Sequence, residues 1–244
     1  MIIAGIDFET TSVDPQTCLP TEIAIIRWDP HRNSIVESIS VLLEVPLGLV
    51  IDNYSITGLD SSILRQHGFS WKEVESFIIR RLQTSNYLMA HNVEFDRTIL
   101  KRLINWDAYL GEKPFDDNHW IDTMTDVPYP DHIKTRSLLH LAAEHGFLNP
   151  FPHRALFDVM TMIKIAGMYD LNEVIRYADS PNIWLRAGVS MDDRQKAKDR
   201  NYRWDPINKF WVKQIKELNL EKEEEGAEFP IDILNGYIYK EEYA

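Results

Sequence analysis

The chain has 244 residues, with 26 Lys and Arg against 38 Asp and Glu, for a formal charge of −12. With 44% apolar and 11% aromatic residues it can fill a sizeable core, which excludes a disordered or fibrous protein. The apolar start, Met1 to Ile6, runs straight into Asp7 and Glu9, so neither a signal peptide nor a membrane span is expected. The single cysteine, Cys18, allows no internal disulfide and fits a reducing, cytoplasmic setting.

Charge is unevenly spread. Residues 186–216 hold nine Lys and Arg against four Asp, whereas 217–244 hold nine acids and two lysines. The expected organisation is a main domain over 1–180, a small basic, aromatic module over 181–216 and an acidic tail over 217–244.

Ile2 to Phe8 and Glu22 to Trp28 are apolar, β-branched runs that read as central strands. Ile35 to Val45 alternates as a third strand after the turn signal Asp29-Pro30-His31-Arg32-Asn33, so the three form a meander. Trp71 to Gln83 spaces Val74, Phe77, Ile78 and Leu82 as a helix, with Ser70 and Glu73 as its capping box. Tyr87 to His91 is a fourth strand, and residues 93–105 a helix with Phe95, Ile99, Leu100 and Leu103 on one face. Trp120 to Met124 is a short fifth strand. Helices follow over Leu138 to Gly146 and over Arg154 to Met168, the latter with Ala155, Val159, Met162, Ile163 and Ala166 inward.

Asp7 and Glu9 stand two apart on a strand, so both side chains share a face, where unpaired acids repel each other. A cation between them removes the repulsion. Oxygen ligands without Cys or neighbouring His favour a hard ion, Mg²⁺ or Mn²⁺, over zinc. Alone, a D-x-E triplet is more often an accident of composition. Two further strings place acids at element ends: Ala90-His91-Asn92-Val93-Glu94-Phe95-Asp96, and Pro152-His153-Arg154-Ala155-Leu156-Phe157-Asp158. His153 and Asp158 lie about 140° apart on a regular helix, so they converge only if His153 sits in the loop before it. Asn149-Pro150 and Pro152 make that loop.

Together these residues resemble the DEDD superfamily of 3′-to-5′ exonucleases in its histidine-bearing, DEDDh subgroup. GIDFETT (Gly5 to Thr11) is similar to the first motif, AHNVEFDRTIL (Ala90 to Leu100) to the second and HRALFDV (His153 to Val159) to the third, in wording nearest to exonuclease X and the proofreading epsilon subunits. The resemblance covers roughly residues 1–170. It implies an α/β fold: a ribonuclease H-like five-stranded mixed sheet flanked by helices, here with a small C-terminal α+β module. It implies two Mg²⁺ (or Mn²⁺) ions held by Asp7, Glu9, Asp96 and Asp158, with His153 as general base, a role that suits an imidazole at neutral pH. It also implies substrate contacts near Phe8, Thr10, Thr11 and Asn92, while Arg154, Arg97, Lys134 and Arg136 are candidates for phosphate. His91 is expected to pack or bond backbone. The implied activity is release of nucleotides from 3′ ends of nucleic acid, DNA rather than RNA, at single-stranded or frayed ends. Two rivals remain: an exoribonuclease acting on short RNA, and a non-catalytic nucleic-acid-binding adaptor on the same fold.

Within 182–213, Ile183 to Ala187 reads as a strand, Asp192 to Asp199 as a helix, and Tyr202 to Trp204 with Lys209 to Lys213 as a hairpin around Asp205-Pro206-Ile207-Asn208. Trp184, Tyr202, Trp204 and Trp211 are expected to form the core of this module, and its basic face to contact nucleic acid. Glu221 to Glu228 reads as a solvated linker. Phe229 to Tyr243 carries enough apolar residues to dock.

Overall fold

The computed structural model describes residues 1–49, 51, 54–104 and 120–239, which fall into two compact units, Met1–Asp179 and the chain from Ser180 onward. In the first, β1 (Ile3–Thr10), β2 (Pro20–Asp29) and β3 (Ser34–Leu42) form the expected antiparallel meander. After α1 (Tyr54–Thr57), α2 (Ser61–His67) and α3 (Trp71–Gln83), β4 (Tyr87–Ala90) joins β1 in parallel. Helix α4 (Val93–Leu103) and β5 (Trp120–Asp122) follow, then α5 (Leu138–Glu144), α6 (Ala155–Ala166) and α7 (Leu171–Ala178). The sheet order is β3-β2-β1-β4-β5, so β1 lies at its centre.

Burial on both faces explains why β1 and β2 read as continuous apolar runs. Ile3, Ile6, Ile23, Ile25 and Ile26 are fully buried, each contributing about 1.5–3 kcal/mol. Ile3, Ala24 and Ile26 pack with α5, α6 and α7, whereas Ile6, Phe8, Ile23 and Ile25 pack with α3 and α4. The capping box of α3 forms, Glu73 Oε2 accepting the Ser70 N–H at 2.8 Å. Position 105, expected in α4, lies outside the described residues.

Helices α2 and α7 lie outside the expected set. Helix α2 starts on Asp60, whose carboxylate accepts the N–H groups of Ser62 and Ile63, both at 2.8 Å, and α7 starts on Asp170, which accepts from Asn172 at 3.0 Å. No helix among the described residues is long and apolar enough to cross a membrane.

The second unit is an antiparallel sheet, β7-β8-β6-β9, of β6 (Asn182–Ala187), β7 (Arg203–Asp205), β8 (Phe210–Lys216) and β9 (Ile231–Ile233). Helices α8 (Arg194–Asp199) and α9 (Leu220–Gly226) complete it. The structure departs here from the charge-based reading. Glu221 to Gly226 is helical rather than a linker, and β9 pairs with β6, so residues beyond 216 belong to the same sheet. The cause is Glu223, buried and ion-paired with Arg200 at 3.0 Å and Lys213 at 2.8 Å. An acid satisfied by two cations folds inward; one in a solvated run does not. Lys240 to Tyr243 of the expected docking segment lie outside the described residues.

Candidate active site

Three elements meet at the C-terminal end of β1. Along this strand the odd-numbered residues face α6: at Gly5 no side chain separates strand from helix, and an added Cβ would lie 2.8 Å from Val159 Cγ1. Asp7 and Glu9 continue that face, while Phe8 points to the other and is 5% exposed in the core with α3 and α4. Asp158, in the first turn of α6, completes a triplet: one carboxylate oxygen each of Asp7, Glu9 and Asp158 lie within 4.8 Å of one another. Asp96 stands outside the triplet, on α4. It is 2% exposed, and its Oδ1 accepts the Phe8 N–H at 3.0 Å.

Electrostatics mark this cluster as incomplete without a cation. Burial pushes the Asp7 carboxyl well above its ordinary range, and the charges of Asp96, Glu9, Asp158 and Glu22 push it further. Burial, then Asp158 and Glu22, raise Glu9 to about 8, with Arg154 acting in the opposite sense. Burial raises Asp158 to about 6 against the lowering effect of the His153 N–H. Burial also raises Asp96, opposed by the Phe8 N–H. Like charges desolvated together hold protons unless a positive ion replaces them. Donors that are all carboxylate oxygens fit a hard divalent ion.

His153 lies in the loop before α6, in the left-handed region at φ 61°, and its side chain is exposed. This conformation is uncommon outside glycine and aims the 153 N–H at Asp158 Oδ2, 3.1 Å away. Asn149, 6% exposed, donates from Nδ2 to Asp158 Oδ1 at 2.5 Å and accepts the Phe151 N–H at 3.0 Å. Both Asp158 oxygens are therefore oriented by its own loop.

Arg154 reaches onto Glu22, which is 1% exposed and pairs with Glu9 across the β1–β2 ladder. Glu22 accepts from Arg154 Nε at 2.9 Å and Nη2 at 3.3 Å, from the Ala155 N–H at 3.3 Å and from Ser40 Oγ at 2.8 Å. It thereby pins the start of α6 to β2. Arg154, expected at phosphate, is engaged in this ion pair with 38% of its side chain still exposed. Arg97 likewise pairs with Glu94, and Arg136 lies over the Tyr129 ring.

The remaining expected contacts sort by local geometry. Thr10 Oγ1 donates to the Ser12 carbonyl at 2.6 Å, and Thr11 is tied to Leu19 through its N–H at 2.9 Å and its Oγ1 at 3.0 Å. Asn92 is exposed at φ 78° and makes no side-chain cap. Asp122 from β5 caps α4 instead, accepting the N–H groups of Asn92 at 3.1 Å and Val93 at 3.2 Å. His91 is half-buried, with Nδ1 2.9 Å from Thr123 Oγ1 and Nε2 2.6 Å from the Arg136 carbonyl, as expected of a packing residue. Glu22, Asn149 and Asp122 were not singled out by sequence reasoning. The one available signal was an acid opening the largely apolar run Glu22 to Trp28.

A mixed sheet in the order 3-2-1-4-5 with acids at the end of its central strand, on α4 and on α6, and a histidine before α6, is the ribonuclease H-like arrangement that the motif resemblance implies. Comparison with known proteins agrees. A family described as Exonuclease matches residues 4–166, and a second, described as a domain of unknown function, matches residues 183–234. No curated protein sequence matches the chain. Among solved structures, the zinc-bound Escherichia coli exonuclease I–single-stranded DNA complex aligns with a TM-score of 0.62 at 16% identity, covering 96% of this chain and 62% of that one. An exonuclease I structure concerned with processivity gives 0.59 at 18% identity, over 72% and 42%. The nuclease domain of 3′hExo, a DEDDh family member bound to rAMP, gives 0.54 at 16%, over 68% and 90%. These likenesses are of fold, and the chain spans about two-fifths of the first exonuclease I structures it matches (42% and 40%). The chain belongs to the exonuclease family.

Proposed function

We propose that this chain removes nucleotides from the 3′ ends of nucleic acid, DNA in preference to RNA, with two Mg²⁺ or Mn²⁺ ions as cofactors. The observation that carries the reading is the gathering of Asp7, Glu9 and Asp158 beside the His153 loop. Asp7, Glu9 and Asp158 would hold one ion, and Asp7 with Asp96 the other. Bound there, the ions would supply charge neutralisation for the scissile phosphate and its leaving oxygen. His153 acts as general base: its exposed ring takes the proton of the attacking water, and its N–H keeps Asp158 in place. Asn149 orients Asp158, and Glu22 through Arg154 fixes the loop that carries the histidine. Asn92, with an exposed side chain that makes no cap, would contact substrate, together with the chain at Phe8, Thr10 and Thr11 at the end of β1.

The DNA preference rests on the resemblance of the motif strings to exonuclease X. Related folds point both ways: exonuclease I has been solved with dT13, dA16 and single-stranded DNA, and a 3′-exonuclease with a histone mRNA stem-loop. Paired 5′-labelled DNA and RNA strands of one sequence, incubated with Mg²⁺, Mn²⁺ or EDTA, test the reading. Stepwise shortening from the 3′ end, faster on DNA, lost in EDTA and lost in Asp158→Asn, is expected. A labelled mononucleotide as first product, or cleavage undiminished in EDTA, overturns it. The single cysteine accords with a cytoplasmic protein.

A further inference from the structure

The second unit carries aromatic residues on both faces of its sheet. Its buried cluster is Leu185, Ala187, Ala197, Tyr202 and Trp211, with Trp204, Leu220 and Phe229 packed against it. Trp184 takes no part, contrary to the expectation that all four aromatics serve the core. Register gives the reason. Leu185 and Ala187 of β6 share the core face with Trp204 and Trp211, and the alternate residues Trp184 and Arg186 point to the opposite face. Arg203, Val212, Phe210 and Gln214 share that outer face, by pairing with Val212, Arg186, Asp205 and Trp184.

The turn after β9 delivers more rings to the same side. Tyr237 meets Trp184 edge-on at 5.4 Å, and Tyr239 stacks on Trp184 at 5.5 Å with an interplanar angle of 28°. Arginines are poised over the rings: Arg203 over Tyr239 at 5.4 Å and Arg186 over Phe210 at 5.3 Å. Beside the stacked pair lies a cavity of about 550 Å³ lined by Trp184, Asn201, Arg203, Lys213, Gln214 and Tyr239. On the strands of this face the acids are Asp205, caged by Ile207, Asn208 and Tyr237, and Asp232, opposite Arg186. On α9, Glu223 is spent on Arg200 and Lys213.

We propose that this outer face is a binding platform for single-stranded nucleic acid. One base stacks in the Trp184–Tyr239 cavity, and the flanking phosphates lie on Arg186 and Arg203. Flat rings accept any base, and guanidinium groups at their rim track the backbone charge, so the platform has no need of sequence preference. An arginine already seated over a ring keeps that position when a phosphate arrives, which lowers the ordering cost of binding. The proposal deepens the nucleic-acid reading of the catalytic unit and rests on it for the choice of ligand.

The test uses the full chain in EDTA, which stops cleavage, and fluorescein-labelled thymidylate and uridylate oligomers read by anisotropy across a salt series. Trp184→Ala is expected to weaken binding of both oligomers about tenfold or more, the worth of one stacked base. Arg186→Glu with Arg203→Glu, both exposed and outside the buried cluster, serves if the tryptophan variant does not fold. It should lower the slope of log K on log salt by about 1.4, two phosphates at about 0.7 each. Both variants should still shorten a dinucleotide in Mg²⁺ at the parent rate. Unchanged affinity and slope in the charge variant overturn the platform, as does equal competition by a polyglutamate peptide. Loss of cleavage by the parent chain with binding intact overturns the catalytic reading and leaves the platform standing.

Discussion

Gly5→Ala tests the way β1 and α6 jointly build the site. The added methyl would lie 2.8 Å from Val159 Cγ1 and 3.1 Å from both Ile163 Cδ1 and Met162 Cε, against an ordinary contact of 3.4–4 Å. Ile163 and Met162 can swing their terminal methyls aside. Val159 cannot, because a β-branched side chain in a helix has one favoured rotamer. Strand and helix must therefore part by roughly half an ångström or more, at about 1–3 kcal/mol for an overpacked core. Asp158 immediately precedes Val159, so the same displacement draws it from Asp7 and Glu9. Displacements of this order at a reacting centre cost up to about 100-fold in rate. Thermal melts, Mn²⁺ titration by calorimetry and turnover of a labelled oligomer read stability, ion affinity and rate. Val159→Ala costs about 1.5–2 kcal/mol alone through lost burial, but in the Gly5→Ala background it should restore both stability and Mn²⁺ affinity. The two substitutions would then couple by more than about 1 kcal/mol. Unchanged Mn²⁺ affinity in Gly5→Ala, or additive effects in the double variant, would refute the reasoning.

Glu22→Gln keeps shape and removes the buried charge that the part-exposed Arg154 meets. A stability loss of about 1.5–3 kcal/mol is expected, as for a charged hydrogen bond, with kcat falling and KM nearly unchanged; a large KM effect with normal kcat would contradict a role in fixing the His153 loop. Asn149→Ala removes the donor to Asp158 Oδ1, and ion affinity measured by titration should fall about 10- to 100-fold, whereas an intact affinity would show that the loop N–H alone orients this carboxylate. Stability of the metal-free chain should fall as pH rises from the ordinary carboxylate range through about 8, because Asp158 at about 6 and Glu9 at about 8 hold protons more tightly folded than unfolded. For Glu9 the upper limit is about 5 kcal/mol. Saturating Mn²⁺ should flatten or invert that decline, since ions bind the ionised acids, and a metal-free melting temperature that climbs with pH would contradict the assignment.

Features carried by nearby residues were legible from the chain alone. The meander, the capping box of Ser70 and Glu73, and the three acid-bearing strings each depend on patterns within about a dozen residues. Phe8, expected at the substrate, has its ring in the core instead, because the period of two that aligns Asp7 with Glu9 sends it to the opposite face. Glu22 was not legible, because its partners Arg154 and Ala155 are more than a hundred residues away and only the packing of α6 on β2 introduces them. Asp122 was equally hidden, a strand residue serving as cap for a helix that precedes it in the chain. In the second unit, charge suggested a boundary at 216 that pairing does not respect. Net charge records how many acids a segment has, and burial of Glu223 depends on where two cations stand.

The short strand β9 bears on how this chain can be cut. A fragment ending at residue 216 would lose the pairing of Ile231–Ile233 with Leu185–Ala187 and leave one edge of β6 open along its apolar side chains. It would also leave Arg200 and Lys213 without Glu223. Unpaired strand edges recruit other strands, so such a truncation would show itself first as aggregation, a defect easily mistaken for loss of a nucleic-acid site.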